Sequence, residues 1–264
     1  MHYLENNMEK RLDPTLLLEG ARSIVVVAMN YAPSRRFPDD EYQIAAYALG
    51  KDYHDVMKER LQQLTANPSF DWGEHKLCVD TVPILERYWA QEAGIGFIGR
   101  NRQLIISDGG SMFFLGEIVT TAEADHYDAP MTNRCGTCHR CLDACPTKAL
   151  SMADGQGPSF DSQKCLSYQT IENRGDIDED VKDKLGLNIY GCDRCQQACP
   201  WNRFARPTTI PELQPNDSLM QMHRADWQQL SLQTYRQLFK GSAVKRAKYE
   251  GLIRNIQVVF TAKK

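Results

Sequence analysis

Eight of the nine cysteines in this chain fall into a pattern that few folds accommodate. Cys135, Cys138, Cys141, Cys145 and Pro146 form a C-x2-C-x2-C-x3-C-P run. Cys192, Cys195, Cys199 and Pro200 repeat its ending, and Cys165 lies between the two. Three metal chemistries compete for the first run: c-type haem attachment at C-x-x-C-H, zinc bound by C-x-x-C pairs, and iron–sulfur clusters. Haem attachment requires export and leaves Cys141, Cys145 and the second run unexplained. Structural zinc has no need of a three-residue gap and a proline at both ends. In ferredoxin-type runs, by contrast, the last thiolate crosses to the other cluster. That rule predicts one [4Fe-4S] cluster on Cys135, Cys138, Cys141 and Cys199, and a second on Cys165, Cys192, Cys195 and Cys145.

Other features narrow the setting. The opening residues, MHYLENNMEKR, lack a signal peptide's apolar stretch, and the longest apolar run is only Ile24 to Met29, so the expectation is a cytoplasmic protein with no membrane span. A net charge of −3 excludes a globally basic nucleic-acid binder and leaves only a local patch for a polyanion. With 264 residues and 42% hydrophobic residues, the chain has enough material for two compact units.

Two clusters need far fewer residues than this chain has, and the segment ahead of them reads as a layered α/β domain. RSIVVVAMNY, HKLCVD, RQLIIS and MFFLGEIVTT read as strands, the last two joined by DGGS. YQIAAYALGKDYHDVMKERLQQLTA reads as one or two amphipathic helices, and PILERYWAQEA as a helix with Pro83 in its first turn. GIGFIG matches the dinucleotide fingerprint in letters but follows a helix instead of a strand, so Gly94 is expected to cap helix 83–93. The expected boundaries are an α/β (α+β) domain at 1–126, a ferredoxin-like two-cluster domain at 127–207, and a helical basic tail at 208–264. On spacing alone Asp80 is a helix cap, Cys78 a buried core thiol and His139 a bystander near the surface.

EKRLDPTLLLEGARSIVVVAMNY, GKDYHDVMKERL, VDTVPILERYWAQEAGIGFIGRN, the two cysteine runs and KGSAVKRAKYEGLIRN together resemble the epoxyqueuosine reductases nearly end to end. The resemblance implies a cobalamin-binding domain and reduction of epoxyqueuosine to queuosine in the wobble position of tRNA. It implies a base-off cobalamin reloaded by the two clusters, an external flavodoxin- or ferredoxin-type electron donor, and a monomer. It also implies a further strand and helix ahead of Met1 and, in many members, helical repeats after GLIRN. Asp80, in the family's D-T motif, becomes the proton donor, with its carboxyl buried against the corrin. Arg11, Asn101, Leu104, Leu115, Ser167 and Asp193 are carried over as corrin contacts. In the tail, Lys245, Arg246 and Lys248 become candidates for phosphate contacts, since unstacked anticodon bases are read while basic residues hold the backbone. The acidic stretch 174–184 is expected to face away from RNA. The rival readings are a ferredoxin-type electron carrier, which would hold iron without cobalt, and another corrinoid iron–sulfur reductase such as a reductive dehalogenase.

Overall fold

A computed structural model describes residues 5–153 and 157–261. Along the chain come α1 (Met8–Leu12), β1 (Ser23–Asn30), β2 (Gln43–Ile44), α2 (Tyr53–Thr65), β3 (His75–Cys78), α3 (Glu86–Glu92), β4 (Phe97–Ile98), β5 (Leu104–Ile105) and β6 (Phe113–Thr120). Then follow α4 (Arg140–Asp143), β7 (Leu150–Ala153), β8 (Gly157–Phe160), α5 (Leu166–Ile171), α6 (Glu179–Lys182), β9 (Asn188–Tyr190) and α7 (Arg194–Gln197). The C-terminal part holds α8 (Asp217–Met220), α9 (Arg224–Gln228), α10 (Leu232–Leu238) and α11 (Lys248–Thr261).

These elements form two units. The first contains residues up to Asn30, Tyr53–Cys138 and Trp201–Ala205; the second contains Tyr31–Asp52, His139–Pro200 and the chain from Arg206 onward. The boundaries therefore differ from the 126/127 and 207/208 breaks expected from sequence, because long-range pairing recruits segments that local composition does not link.

In the first unit β6 is the central strand of an antiparallel sheet of order β1-β6-β3. Side chains alternate across a strand, so Phe114, Gly116 and Ile118 share one face and Leu115, Glu117 and Val119 the other. The first face takes α2. Phe114 stacks on Tyr53 at 4.1 Å, and any Cβ on Gly116 would come within 3.0 Å of Met57. The second face takes α3, with Leu115 clustered on Ala90, and Val119 on Cys78, Ile84 and Trp89. Apart from Phe113, every residue of β6 is buried, which suits a strand covered on both faces.

Three expectations need correction here. Helix α3 starts at Glu86, so Pro83 lies outside it, in an irregular turn after β3. Of residues 42–66 only 53–65 are α-helical. The first part is a short strand and a single 3-10 turn, because Ile44 pairs with Tyr190 of β9. The glycine stretch contains β4, which pairs antiparallel with β5. Gly94 does cap α3, at φ +65 with its N–H bonded to the Gln91 carbonyl.

In the second unit α4 and α7, each carrying the middle of one cysteine run, pack against each other, giving the internal repeat a structural form. β7 and β8 make a hairpin. The basic tail is part of this unit. Buried Asn255 of α11 donates to the carbonyls of Thr170 and Ile189 at 2.7 and 2.8 Å, and Tyr190 donates to the Ala243 carbonyl at 2.8 Å.

Candidate active site

Asp80 sits in the turn after β3 with its backbone in the left-handed region, φ +45. Its Oδ2 accepts from the Tyr53 hydroxyl at 3.0 Å and lies 2.9 Å from His54 Nε2. Both partners belong to the first turn of α2, where stacking on Phe114 fixes the Tyr53 ring. The carboxyl is 54% exposed, against the expected burial. Five residues separate it from the start of α3, and Leu85 holds the N-cap position, so the helix-cap reading fails as well. Tyr53 and His54 went unassigned in the sequence. Their signal was the adjacent aromatic and imidazole opening a helix in GKDYHD.

The backbone N–H of Asp80 donates to Glu86 Oε1 at 2.6 Å. Glu86, Trp89 and Ala90 share the face of α3 turned toward the sheet, and Glu117 lies on the sheet face that takes α3. Glu117 is fully buried, and neither of its carboxyl oxygens has a hydrogen-bond partner among the described residues. Burial pushes its pKa up to about 9, and the nearby charge of Glu86 adds to the rise. For Glu86 itself, burial outweighs the Asp80 N–H bond and lifts the pKa to about 7. Cys78 is the buried core thiol expected, raised to about 12 by burial and then by Glu117.

Of the residues carried over for the corrin, Asn101, Leu104 and Leu115 lie buried in the first unit, the two leucines in one cluster with Ala90. Asn101 Oδ1 accepts from the Gln103 N–H, while its buried Nδ2 has no partner among the described residues. Arg11 lies on α1 and donates to the Asn6 carbonyl. Ser167 is half-buried in the first turn of α5. Asp193 is engaged inside the second unit, where it accepts from Arg36 and from the Ala46 N–H, each at 2.8 Å. Both bonds fall on Oδ2.

Cys135 and Cys138 lie in the first unit and the other six run cysteines in the second. Cys165 neighbours Cys145 and Cys192, and Cys195 lies near Cys141, Cys165 and Cys192. Burial raises the thiols of Cys165, Cys192 and Cys195, and charge on Cys145, Cys165 and Cys192 raises them further. Cys145 is the exception. Burial raises it, but the Leu150 N–H, the Thr147 hydroxyl and the Ala149 N–H together bring it below its ordinary value. Donors aimed at a sulfur favour thiolate and suit a cluster ligand. Among the described residues no three His, Cys, Asp or Glu converge tightly enough for a single ion. His139, exposed and 2.6 Å from Asp143, is no cysteine partner.

The tail residues divide. Lys245 and Lys248 are exposed, whereas Arg246 makes a two-pronged bond to Glu172, both contacts 2.8 Å. Arg254 is spent on the carbonyls of Gln169, Asn173 and Gly175. Arg174, at the head of the acidic stretch, donates to the Arg246 and Ala247 carbonyls, so that end of the stretch lies against the tail.

An antiparallel α+β unit joined to a doubled ferredoxin-type cysteine framework defines an iron–sulfur oxidoreductase. Family models agree: residues 134–202 match a 4Fe-4S double cluster binding domain, and residues 11–81 match Epoxyqueuosine reductase QueG, DUF1730. The chain is 40% identical over 258 residues to the epoxyqueuosine reductase of Cellulophaga algicola, covering 97% of this chain and 83% of that one. It is 41% identical over 261 residues to that of Leadbetterella byssophila, covering 98% and 84%. An epoxyqueuosine reductase crystallised with an epoxyqueuosine-modified tRNA-Tyr stem loop superposes with TM-score 0.87 at 31% identity, covering 97% of this chain and 69% of that one. A Bacillus subtilis epoxyqueuosine reductase, with its aspartate catalytic loop swung out of the active site, superposes at 0.85 and 29%, with the same coverage. The chain belongs to the epoxyqueuosine reductase family. Among the described residues no helix is long and apolar enough to cross a membrane.

Proposed function

We propose that this chain reduces epoxyqueuosine to queuosine in the wobble position of a tRNA in the cytoplasm, with Asp80 as the proton donor. The observation that carries the reading is Asp80, gripped by Tyr53 and His54 in a turn of a family member. Removing one oxygen as water takes two electrons and two protons, and two one-electron clusters deliver such a pair in succession. Cys165, Cys192, Cys195 and Cys145 would hold one cluster, and Cys135, Cys138, Cys141 and Cys199 the other, on the crossed spacing rule. The electrons would enter from a flavodoxin- or ferredoxin-type donor.

A base-off cobalamin, when bound, supplies a strongly reducing cobalt for the carbon–oxygen bond. The residues present fit it. Leu104 and Leu115 offer an apolar wall, and the unpaired Nδ2 of Asn101 is a buried donor for an amide-fringed ring. Arg11 and Ser167 remain candidates for its periphery. Asp80 would protonate the released oxygen, and His54 and Tyr53 would orient the carboxyl and return its proton. Lys245 and Lys248 would meet the tRNA backbone.

Asp80→Asn tests the reading. Because Asp80 caps no helix, the variant should keep its fold, iron and cobalt, while turnover falls by about a hundredfold or more. Undiminished turnover would remove Asp80 from the mechanism. Iron without cobalt after anaerobic reconstitution with cobalamin would favour an electron carrier.

A further inference from the structure

We propose that Glu86 is a positioning residue, a charge-dependent anchor for the turn that carries Asp80. The proposal rests on the reading of Asp80 as proton donor for its bearing on catalysis, and on geometry alone for the anchor. A left-handed backbone at a residue with a side chain costs free energy and persists only where neighbours hold it. At Asp80 the holding bond is its own N–H to Glu86 Oε1, at 2.6 Å. No regular hydrogen-bonding pattern spans residues 79–85, so this side chain ties the turn to the helix that follows it. An ionised carboxylate accepts such a bond about twice as strongly as a neutral group.

The surroundings place the charge of Glu86 in balance. Burial opposes ionisation, as does the carboxylate of Asp80; His54 from α2 and Arg87 from α3 favour it. Glu117 of β6 and Cys78 of β3 also face this space, with Lys76 of β3 acting on Cys78 and Arg102 on Arg87. Glu117 takes up its proton before Glu86 does as the pH falls, so it stays neutral while Glu86 titrates. Glu117 therefore does not change charge in the range where Glu86 does. Above that point its carboxylate holds the turn; below it a protonated carboxyl keeps only a neutral bond, and the turn loosens.

Hydrogen–deuterium exchange at the Asp80 amide, measured on the cofactor-loaded chain and divided by the intrinsic rate at each pH, reads the anchor directly. The wild-type amide should be about tenfold better protected above neutrality than below, the difference between a charge-assisted and a neutral hydrogen bond. Glu86→Gln keeps an acceptor of the same shape and cannot titrate, so its protection should be flat with pH and near the acidic wild-type level. Glu117→Gln should keep the wild-type profile. The pH profile of kcat for epoxyqueuosine should lose its acidic limb in Glu86→Gln with KM little changed. A pH-independent wild-type amide, or a Glu86→Gln amide as protected as wild type above neutrality, would overturn the anchor. A kcat profile in Glu86→Gln identical to wild type, with the exchange pattern as expected, would count against Asp80 as donor and leave the anchor standing.

Discussion

Glu117→Gln should stabilise this protein, although it alters a fully buried residue in the central strand. The side chain is 0% exposed, its two oxygens have no partner among the described residues, and burial raises its pKa to about 9 from an ordinary 4.5. Below the ordinary value both folded and unfolded chains carry the proton, and the group contributes nothing to the pH dependence. Between about 4.5 and 9 the folded chain keeps a proton that the unfolded chain releases, so stability falls as pH rises, by about 1.4 kcal/mol per unit. At pH 7 the accumulated loss is roughly 3 kcal/mol, reaching roughly 6 kcal/mol by about pH 9. Glutamine has nearly the same shape and carries no proton to lose; its amide and the neutral carboxyl pay similar desolvation costs. The variant should therefore match wild type in mild acid, exceed it by roughly 3 kcal/mol at neutrality, and pull further ahead in alkali. For a chain of this size that is a rise of about 6–12 °C in Tm at neutral pH. Thermal melts of both proteins under anaerobic conditions across the pH range would measure it. Equal Tm values at every pH, or a variant that loses ground as pH rises, would refute the claim that Glu117 is buried, unpaired and protonated.

Two further outcomes follow from the cysteines and the tail. Cys145→Ser should remove the cluster held by Cys165, Cys192 and Cys195, lowering iron from about eight to about four per chain while the other cluster's spectrum persists; loss of the other cluster instead would reverse the crossed assignment. Neutralising Lys245 and Lys248 together should weaken tRNA binding and reduce the slope of log affinity against log salt by about 1.4–1.8, whereas Arg246→Ala, which breaks a bond to Glu172, should leave that slope nearly unchanged. A salt slope that responds to Arg246 and not to the lysines would relocate the phosphate contacts.

Where the chemistry is written in local spacing, the sequence was enough. Ligation of a cluster depends on how many residues separate the thiolates, so two runs and their prolines specified an iron–sulfur framework before any coordinates. Gly94 ended its helix as expected, because a left-handed cap is a property of a few consecutive residues. Short apolar runs rich in β-branched residues likewise made β1, β3 and β6 legible.

Tertiary structure decided the rest. YQIAAYALG has local preferences that admit a helix, yet Gln43 and Ile44 form a strand because a partner some 145 residues later, in β9, supplies the hydrogen bonds. Asp80 lies six residues ahead of α3, and its role turns on Tyr53 and His54, 27 and 26 residues earlier, which reach it only once α2 packs on the sheet. The pairing of Arg246 with Glu172, and of Asp193 with Arg36, is likewise invisible in the sequence, because the partners lie 74 and 157 residues away. Glu117 shows the limit most sharply. In MFFLGEIVTT it is one acidic letter in an apolar strand, and only the packing of α3 over that face buries it without a hydrogen-bond partner among the described residues and so keeps its proton on.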